Sequence, residues 1–239
     1  MNSALASTLP PTPPAPAADP ALAAAEPAPV LPQGPGRKAH ISREDIMRAA
    51  LKLLGPHRSV STLSLREIAR EAGIAPNSFY RQFRDVDELA VALIEQAGAS
   101  LRQIIGKARG RAGTERSVVR SSVKAFMEQL HADDKLLHIL LREGAVGSDA
   151  FMQAVDRQLS FFEEELRLDL MRMAKDGRTG LYEPALTAKA ITRLVFAMGA
   201  TAMDLPPERL PALTEQVIVM VRIIMTGTQA LARDPTLPK

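Results

Sequence analysis

Cysteine and tryptophan are both absent from this 239-residue chain. Without cysteine there can be no disulfide scaffold, thiolate metal site or cysteine nucleophile. Aromatics are scarce, with seven Phe and two Tyr, although 46% of the chain is hydrophobic. Strands favour aromatic and β-branched side chains, so this composition reads as helices packing on helices. No uncharged apolar run reaches the ~18 residues of a membrane span; the nearest, Val217 to Met225, is short and interrupted by Arg222. Residues 1–36 lack Lys and Arg entirely and hold two acids, Asp19 and Glu26, with ten of the 18 prolines. So much proline forbids continuous helix, and too little large apolar surface is present to offset ordering. A disordered Ala/Pro-rich tail is expected. A secretory leader would need a basic start, which this stretch does not have.

The remainder is long enough for one or two domains, and its charge is uneven. Residues 37–87 hold ten basic against six acidic side chains, while residues 88–239 hold twenty against nineteen. A basic quarter on a near-neutral body is either an uneven solvated surface or a nucleic-acid footprint. The residues within it decide.

Ser42 can cap a helix with Glu44 and Asp45 in its first turn, and Ile46, Ala49, Ala50 and Leu53 recur at helical spacing. Gly55-Pro56 stops it. Ser64 and Glu67 form a Ser-x-x-Glu capping box for a second helix whose buried stripe is Leu65, Ile68, Ala69 and Ala72. Gly73 breaks that helix where a positive φ is needed. After Gly73-Ile74-Ala75, Pro76 opens a third helix running through Arg84, with Phe79 and Phe83 facing the core. Two helices joined by about three residues around a glycine are helix-turn-helix geometry, whose second helix enters the DNA major groove. The groove-facing set is Asn77, Ser78, Tyr80 and Arg81, all hydrogen-bonding side chains.

The run Ala72-Gly73-Ile74-Ala75-Pro76-Asn77-Ser78-Phe79-Tyr80-Arg81-Gln82-Phe83-Arg84-Asp85-Val86-Asp87-Glu88-Leu89, with Ile68-Ala69 before it, resembles the DNA-binding signature of TetR-type transcriptional repressors. Within that family this wording, and Leu140-Leu141-Arg142-Glu143 further on, resemble the FabR/DesT branch that represses unsaturated fatty acid synthesis. The resemblance implies an all-α protein: a three-helix DNA-binding domain with helix-turn-helix at 37–86, then a helical ligand-binding and dimerisation domain at 87–232 and a short tail at 233–239. It also implies a cytoplasmic homodimer on double-stranded palindromic operator DNA, controlled by a long-chain acyl-CoA or acyl-ACP, with no further cofactor and no membrane role. The expected DNA-contacting residues are Arg37, Lys38, Arg43 and Arg84 on phosphates, Ser64, Arg66 and Ala75 along the backbone, and Asn77, Ser78, Tyr80 and Arg81 at the bases.

Past Asp87 the spacing predicts helices over 87–109, 115–131, 134–144, 149–175, 185–204 and 207–232. The clearest stripe is Phe151, Val155, Leu159, Phe162, Leu166, Leu170 and Met173, which reads as core by default. Family members use their last two helices for a four-helix bundle across a two-fold axis, and a two-fold places two reading helices ~34–36 Å apart on DNA. A pocket for flat cations would need aromatic faces and buried acids; this body offers Leu, Val, Ile and eight of ten Met, which suits an aliphatic chain. Candidate ligand contacts are Phe126, Leu130, Leu141, Arg142, Phe151, Val155, Phe162 and Phe196. Arg142, Arg116 or Arg120 could meet an anionic head.

Enzyme signatures are missing. There is no nucleophile elbow, Walker loop or Gly-rich phosphate turn. His131 and His138, seven apart, could share a helical face but have no third ligand at metal spacing. Asp133-Asp134 and Glu163-Glu164-Glu165 read as solvated acids rather than a catalytic pair. The alternatives are a TetR-like repressor of an efflux or catabolic operon with another hydrophobic ligand, and, more remotely, a helical hydrolase.

Overall fold

The computed structural model describes residues 41–54, 58–111, 115–132, 135–146, 148–175, 180–234 and 236. Arg37, Lys38 and the expected Ala/Pro-rich tail lie outside them, as do His40, His57, Asp133 and Asp134. Among the described residues there are nine α-helices, two 3-10 turns and no strand. Helix α1 (Arg43–Leu53), a 3-10 turn η1 (Val60–Thr62), α2 (Leu65–Glu71) and the short α3 (Pro76–Phe79) make the N-terminal part. The body follows as α4 (Val86–Gly110), α5 (Glu115–His131), α6 (Lys135–Val146), α7 (Asp149–Lys175), α8 (Pro184–Ala202) and, after a second turn η2 (Pro207–Arg209), α9 (Leu210–Leu231).

Local chemistry sets these boundaries. Ser42 and Ser64 are the caps of α1 and α2, each in a reciprocal capping box, with Asp45 and Glu67 returning a carboxylate to the cap N–H. At the end of α2 the Gly73 N–H donates to Arg70 O and the Ile74 N–H to Ala69 O, with Gly73 at φ +67°. This is the paired closure of a Schellman motif, in which a left-handed residue satisfies carbonyls that have run out of helix. Asp85 caps α4 by accepting from the Glu88 N–H at 2.7 Å.

The third helix is shorter than the spacing suggested. Regular helix ends at Phe79, and the chain continues to Phe83 in tight turns, with the Gln82 N–H donating to Phe79 O at 2.9 Å. Tightening from four-residue to three-residue closure is how helix ends commonly satisfy their last carbonyls.

The core is continuous from the N-terminal helices into the body. Ile46, Leu54, Ile68, Phe79 and Phe83 pack into the same cluster as Leu89, Leu93 and Ile94 of α4, and that cluster runs on through Phe126, Leu140 and Phe151. The α7 stripe is core at Phe151, Val155, Leu159, Phe162 and Leu170. The start of α8 is tied to the end of α9, where Thr187 Oγ1 donates to Thr228 Oγ1 at 3.1 Å and the Tyr182 N–H donates to Thr228 O at 3.2 Å. His131 and His138 do not share a helical face: one ends α5 and the other lies on α6.

One feature of the last helix escaped the uncharged-run criterion. Pro207–Leu231 is long and apolar enough to cross a bilayer by length and composition, with mean hydropathy 1.4 and a third of that window buried. Arg222 interrupts the run without lowering its mean hydropathy far. In this fold one side of α9 (Leu213, Val217, Val221, Met225) is core, while Val219, Ile223 and Leu231 face outward.

Candidate nucleic-acid interface and effector cavity

The N-terminal part presents one polar edge. Phe79 and Phe83 are fully buried with ring centroids 5.7 Å apart, which fixes the rotation of α3 and turns its other face outward. Asn77, Tyr80 (59% exposed) and Arg81 stand in solvent, with Ser78 half-buried between them. Tyr80 is braced edge-on against Phe79 at 6.0 Å. Ser64, Arg66, Ala75 and Arg84 are exposed on the flanks. The guanidiniums of Arg66 and Arg81 have no ion-pair or hydrogen-bond partner among the described residues. Two free guanidiniums beside exposed amide, hydroxyl and phenol groups can meet phosphate oxygens and base edges.

Arg43 differs from these. Its Nη1 donates to Gln82 O at 2.8 Å and to Glu88 Oε1 at 3.0 Å, and its guanidinium lies 4.0 Å from the Phe83 ring centroid. Gln82 Nε2 in turn donates to Ile41 O at 2.9 Å. These contacts clamp the start of α1 to the turn behind α3. Sequence spacing had no means of showing this, since the partners lie about forty residues away. Arg84 pairs with Asp85 at 2.9 Å, and that carboxylate pushes its pKa up further.

Glu67 closes the α2 box. Ser64 N–H, Ser64 hydroxyl and Arg58 all donate to its carboxylate, holding its pKa down at about 2 from an ordinary 4.5. The backbone N–H contributes most. A depressed carboxylate stabilises the fold above its unfolded pKa and loses that contribution as pH falls through the folded value. Acid melting followed by circular dichroism should therefore show a step between pH 4.5 and 2 that Glu67→Gln flattens. An identical acid profile for the variant would remove Glu67 from this role.

A second carboxylate, this one buried, was legible in the sequence only as part of a motif. Glu143, on α6, is fully buried; it accepts from the Val60 N–H at 2.9 Å and from Ser59 Oγ at 3.0 Å. Lys135, at the start of α6, donates to Leu51 O at 3.1 Å. Helix α6 thus grips the N-terminal part at two points, one at the end of α1 and one at η1, just before the α2 cap.

The body encloses a cavity of about 90 Å³ between α4, α5, α7, α8 and α9. Phe126, Phe162 and Phe196 form its aromatic end, Phe196 lying 5.3 Å from Phe126 and 5.2 Å from Phe162. Of the ligand contacts expected from sequence, these three line it. Leu141 and Val155 instead line a separate open groove with Arg193 and Phe196, and Leu130 and Phe151 are core residues that line neither. Arg142 also lines neither; Arg120 is spent on the exposed Glu215 at 2.5 Å; the side chain of Arg116 is outside the described residues. Sequence reasoning missed Arg109, the one charged residue on the cavity wall among the described residues, together with Ser122 and Thr192. An arginine between apolar positions at the end of α4 was the only available signal. Among the described residues, no three His, Asp or Glu side chains converge at metal-binding distance.

Residues 46–93 match the family of bacterial regulatory proteins known as the tetR family. This stretch runs from α1 into the first part of α4 and includes the polar edge. Solved structures agree on the fold. A transcriptional regulator from Rhodococcus superposes at TM-score 0.65 with 16% identity, over 79% of this chain and 98% of its own. FadR, the fatty acid degradation regulator of Bacillus halodurans, does so at 0.62 with 18% identity, over 75% and 93%. FadR of Bacillus subtilis in complex with stearoyl-CoA gives 0.63 with 17% identity, over 74% and 96%.

Proposed function

We propose that this regulator is a cytoplasmic repressor that binds a palindromic operator as a homodimer and releases it when a long-chain acyl thioester occupies the body cavity. The observation that carries the DNA-binding part is the outward face of α3, where Asn77, Ser78, Tyr80 and Arg81 stand over a back fixed by Phe79 and Phe83. Arg66 and Arg84, with Arg37 and Lys38, supply the salt-dependent phosphate contacts. Tyr80→Phe and Arg81→Ala should each weaken operator binding by roughly 1–3 kcal/mol without altering the fold or the oligomeric state. Unchanged affinity for both, read by fluorescence anisotropy on operator DNA, defeats the assignment.

Outward-facing apolar side chains on the last two helices support the dimer. Leu186 on α8, with Val219, Ile223 (65% exposed) and Leu231 on α9, make an apolar face that water disfavours. A second copy would cover it and bring two reading edges onto one face of the duplex. Ile223→Asp puts a charge into that face and should shift the sedimenting species to monomer; a dimer that persists rules out this surface.

For the effector, the reading rests on the apolar cavity wall and on the fold shared with the stearoyl-CoA complex of the Bacillus subtilis protein. As its walls stand, the cavity is smaller than the ~300–1,000 Å³ of common ligand sites. A long chain must therefore push side chains aside, with Met173 and Met225 on the wall the most adaptable. That displacement supplies the different affinity for two states that release of DNA requires. Control of unsaturated fatty acid synthesis further predicts that straight and bent chains shift the operator-binding midpoint differently, by ~1–3 kcal/mol. Equal shifts refute discrimination by bend.

A further inference from the structure

Arg109, Val118 and Met173 form a shared wall between the cavity and a surface groove of about 570 Å³ between α4, α5 and α7. Gly106 and Gly110 lie one turn apart on α4 and line that groove. Apart from their chain neighbours and the backbone of α4 itself, no described atom stands within 4 Å of the position a Cβ would take on either. Glycine weakens a helix relative to alanine, and its usual compensation, the close approach of a neighbour, is missing at both positions. On the cavity side, the Oγ of Ser122 is buried without a hydrogen-bond partner. Arg109 Nε is ion-paired with Asp169 Oδ2 at 3.0 Å but is not aimed to donate a hydrogen bond to it. Buried donors left unmatched in an otherwise apolar wall mark where an external oxygen is received. Around the junction Arg102, Arg109 and Arg172 pair with only two carboxylates, Glu165 and Asp169, leaving one positive charge in excess.

We propose that this groove is the exit for the effector's head group. The acyl chain lies in the cavity, its thioester carbonyl accepts from the Ser122 hydroxyl, and the amide-rich arm of the carrier runs out past Arg109 over Gly106 and Gly110. The proposal rests on the acyl-effector reading above and adds the path and the polar contact. The shape carries it: the two glycines leave room for a ligand outside the cavity, and the unmatched Ser122 hydroxyl stands on the cavity wall beside Arg109.

The test is calorimetric titration of the full-length protein with a long-chain acyl-CoA and with the methyl ester of the same acid. Gly106→Phe fills the groove and should cut acyl-CoA affinity at least tenfold while leaving the methyl ester unchanged. Ser122→Ala should weaken both ligands roughly 2- to 10-fold, since both present the carbonyl. Gly106→Ala should raise Tm by about 2–4 °C, as expected where a helix glycine has no packing role. Undiminished acyl-CoA binding by Gly106→Phe, or a lowered Tm for Gly106→Ala, overturns the exit while leaving the acyl effector in place. If the wild-type protein binds neither ligand, the effector reading fails with it.

Discussion

Glu143→Ala is expected to cost on the order of 3 kcal/mol and to lower Tm by roughly 6–12 °C. The carboxylate is completely buried and receives the Val60 N–H and the Ser59 hydroxyl. Truncation leaves a buried backbone donor and a hydroxyl without acceptors, and each lost bond is to a charged group, the stronger kind. It also leaves a void in the α6 face. Glu143→Gln keeps one carbonyl for the Val60 N–H and an amide that can donate to Ser59, so its loss should stay below ~1 kcal/mol. The position adds a functional consequence. Val60 belongs to the turn that delivers the chain to the Ser64 cap of α2, so loosening it frees the reading edge from the body. Operator affinity in Glu143→Ala should fall at temperatures where the protein is still folded, and its response to effector should weaken. An alanine variant that melts with the wild type would show that the buried carboxylate is not holding the turn.

Gly199→Ala is the second large effect, and its sign is opposite to that at Gly106 although both glycines are helical. A Cβ at Gly199 would lie 2.6 Å from two atoms of the Phe126 ring and 3.5 Å from Leu141. Phe126 is fully buried and leans on Phe196, so the ring can yield only by moving into the cavity. Overpacking of this kind costs about 1–3 kcal/mol, against the small gain from replacing a helix glycine. The variant should melt lower and lose effector binding, and a repressor that holds its operator regardless of effector is the expected phenotype. Thermal melts with operator titrations in the presence of an acyl-CoA check both parts. Wild-type effector affinity in Gly199→Ala would mean that Phe126 does not shape the site.

The same two residues show where reading a sequence stops. Glu143 and Gly199 carry no local signal: one is an acid in a helical pattern, the other a glycine in a helix with no turn to make. Their roles depend on groups far away in the chain, 83 and 84 positions for the partners of Glu143. The ligand contacts divided for the same reason. The sequence named Phe126, Phe162 and Phe196 as candidate ligand contacts and named Leu130 and Phe151 alongside them, and only packing separates a cavity wall from solid core.

What the sequence determined by itself was everything written within a turn or two of chain. The Ser42 and Ser64 caps, the left-handed Gly73, the buried Phe79 and Phe83 and the exposed Asn77, Tyr80 and Arg81 all follow from interactions between residues a few positions apart, which the order of side chains encodes directly. Tertiary structure alone decided that Arg43 clamps the back of the reading turn, that α6 grips η1 through Glu143, and that the ion-paired Arg109 and the unmatched Ser122 hydroxyl stand beside an apolar cavity. Those are consequences of which helix faces meet, and many side chains of similar period can satisfy a face until the neighbours are in place.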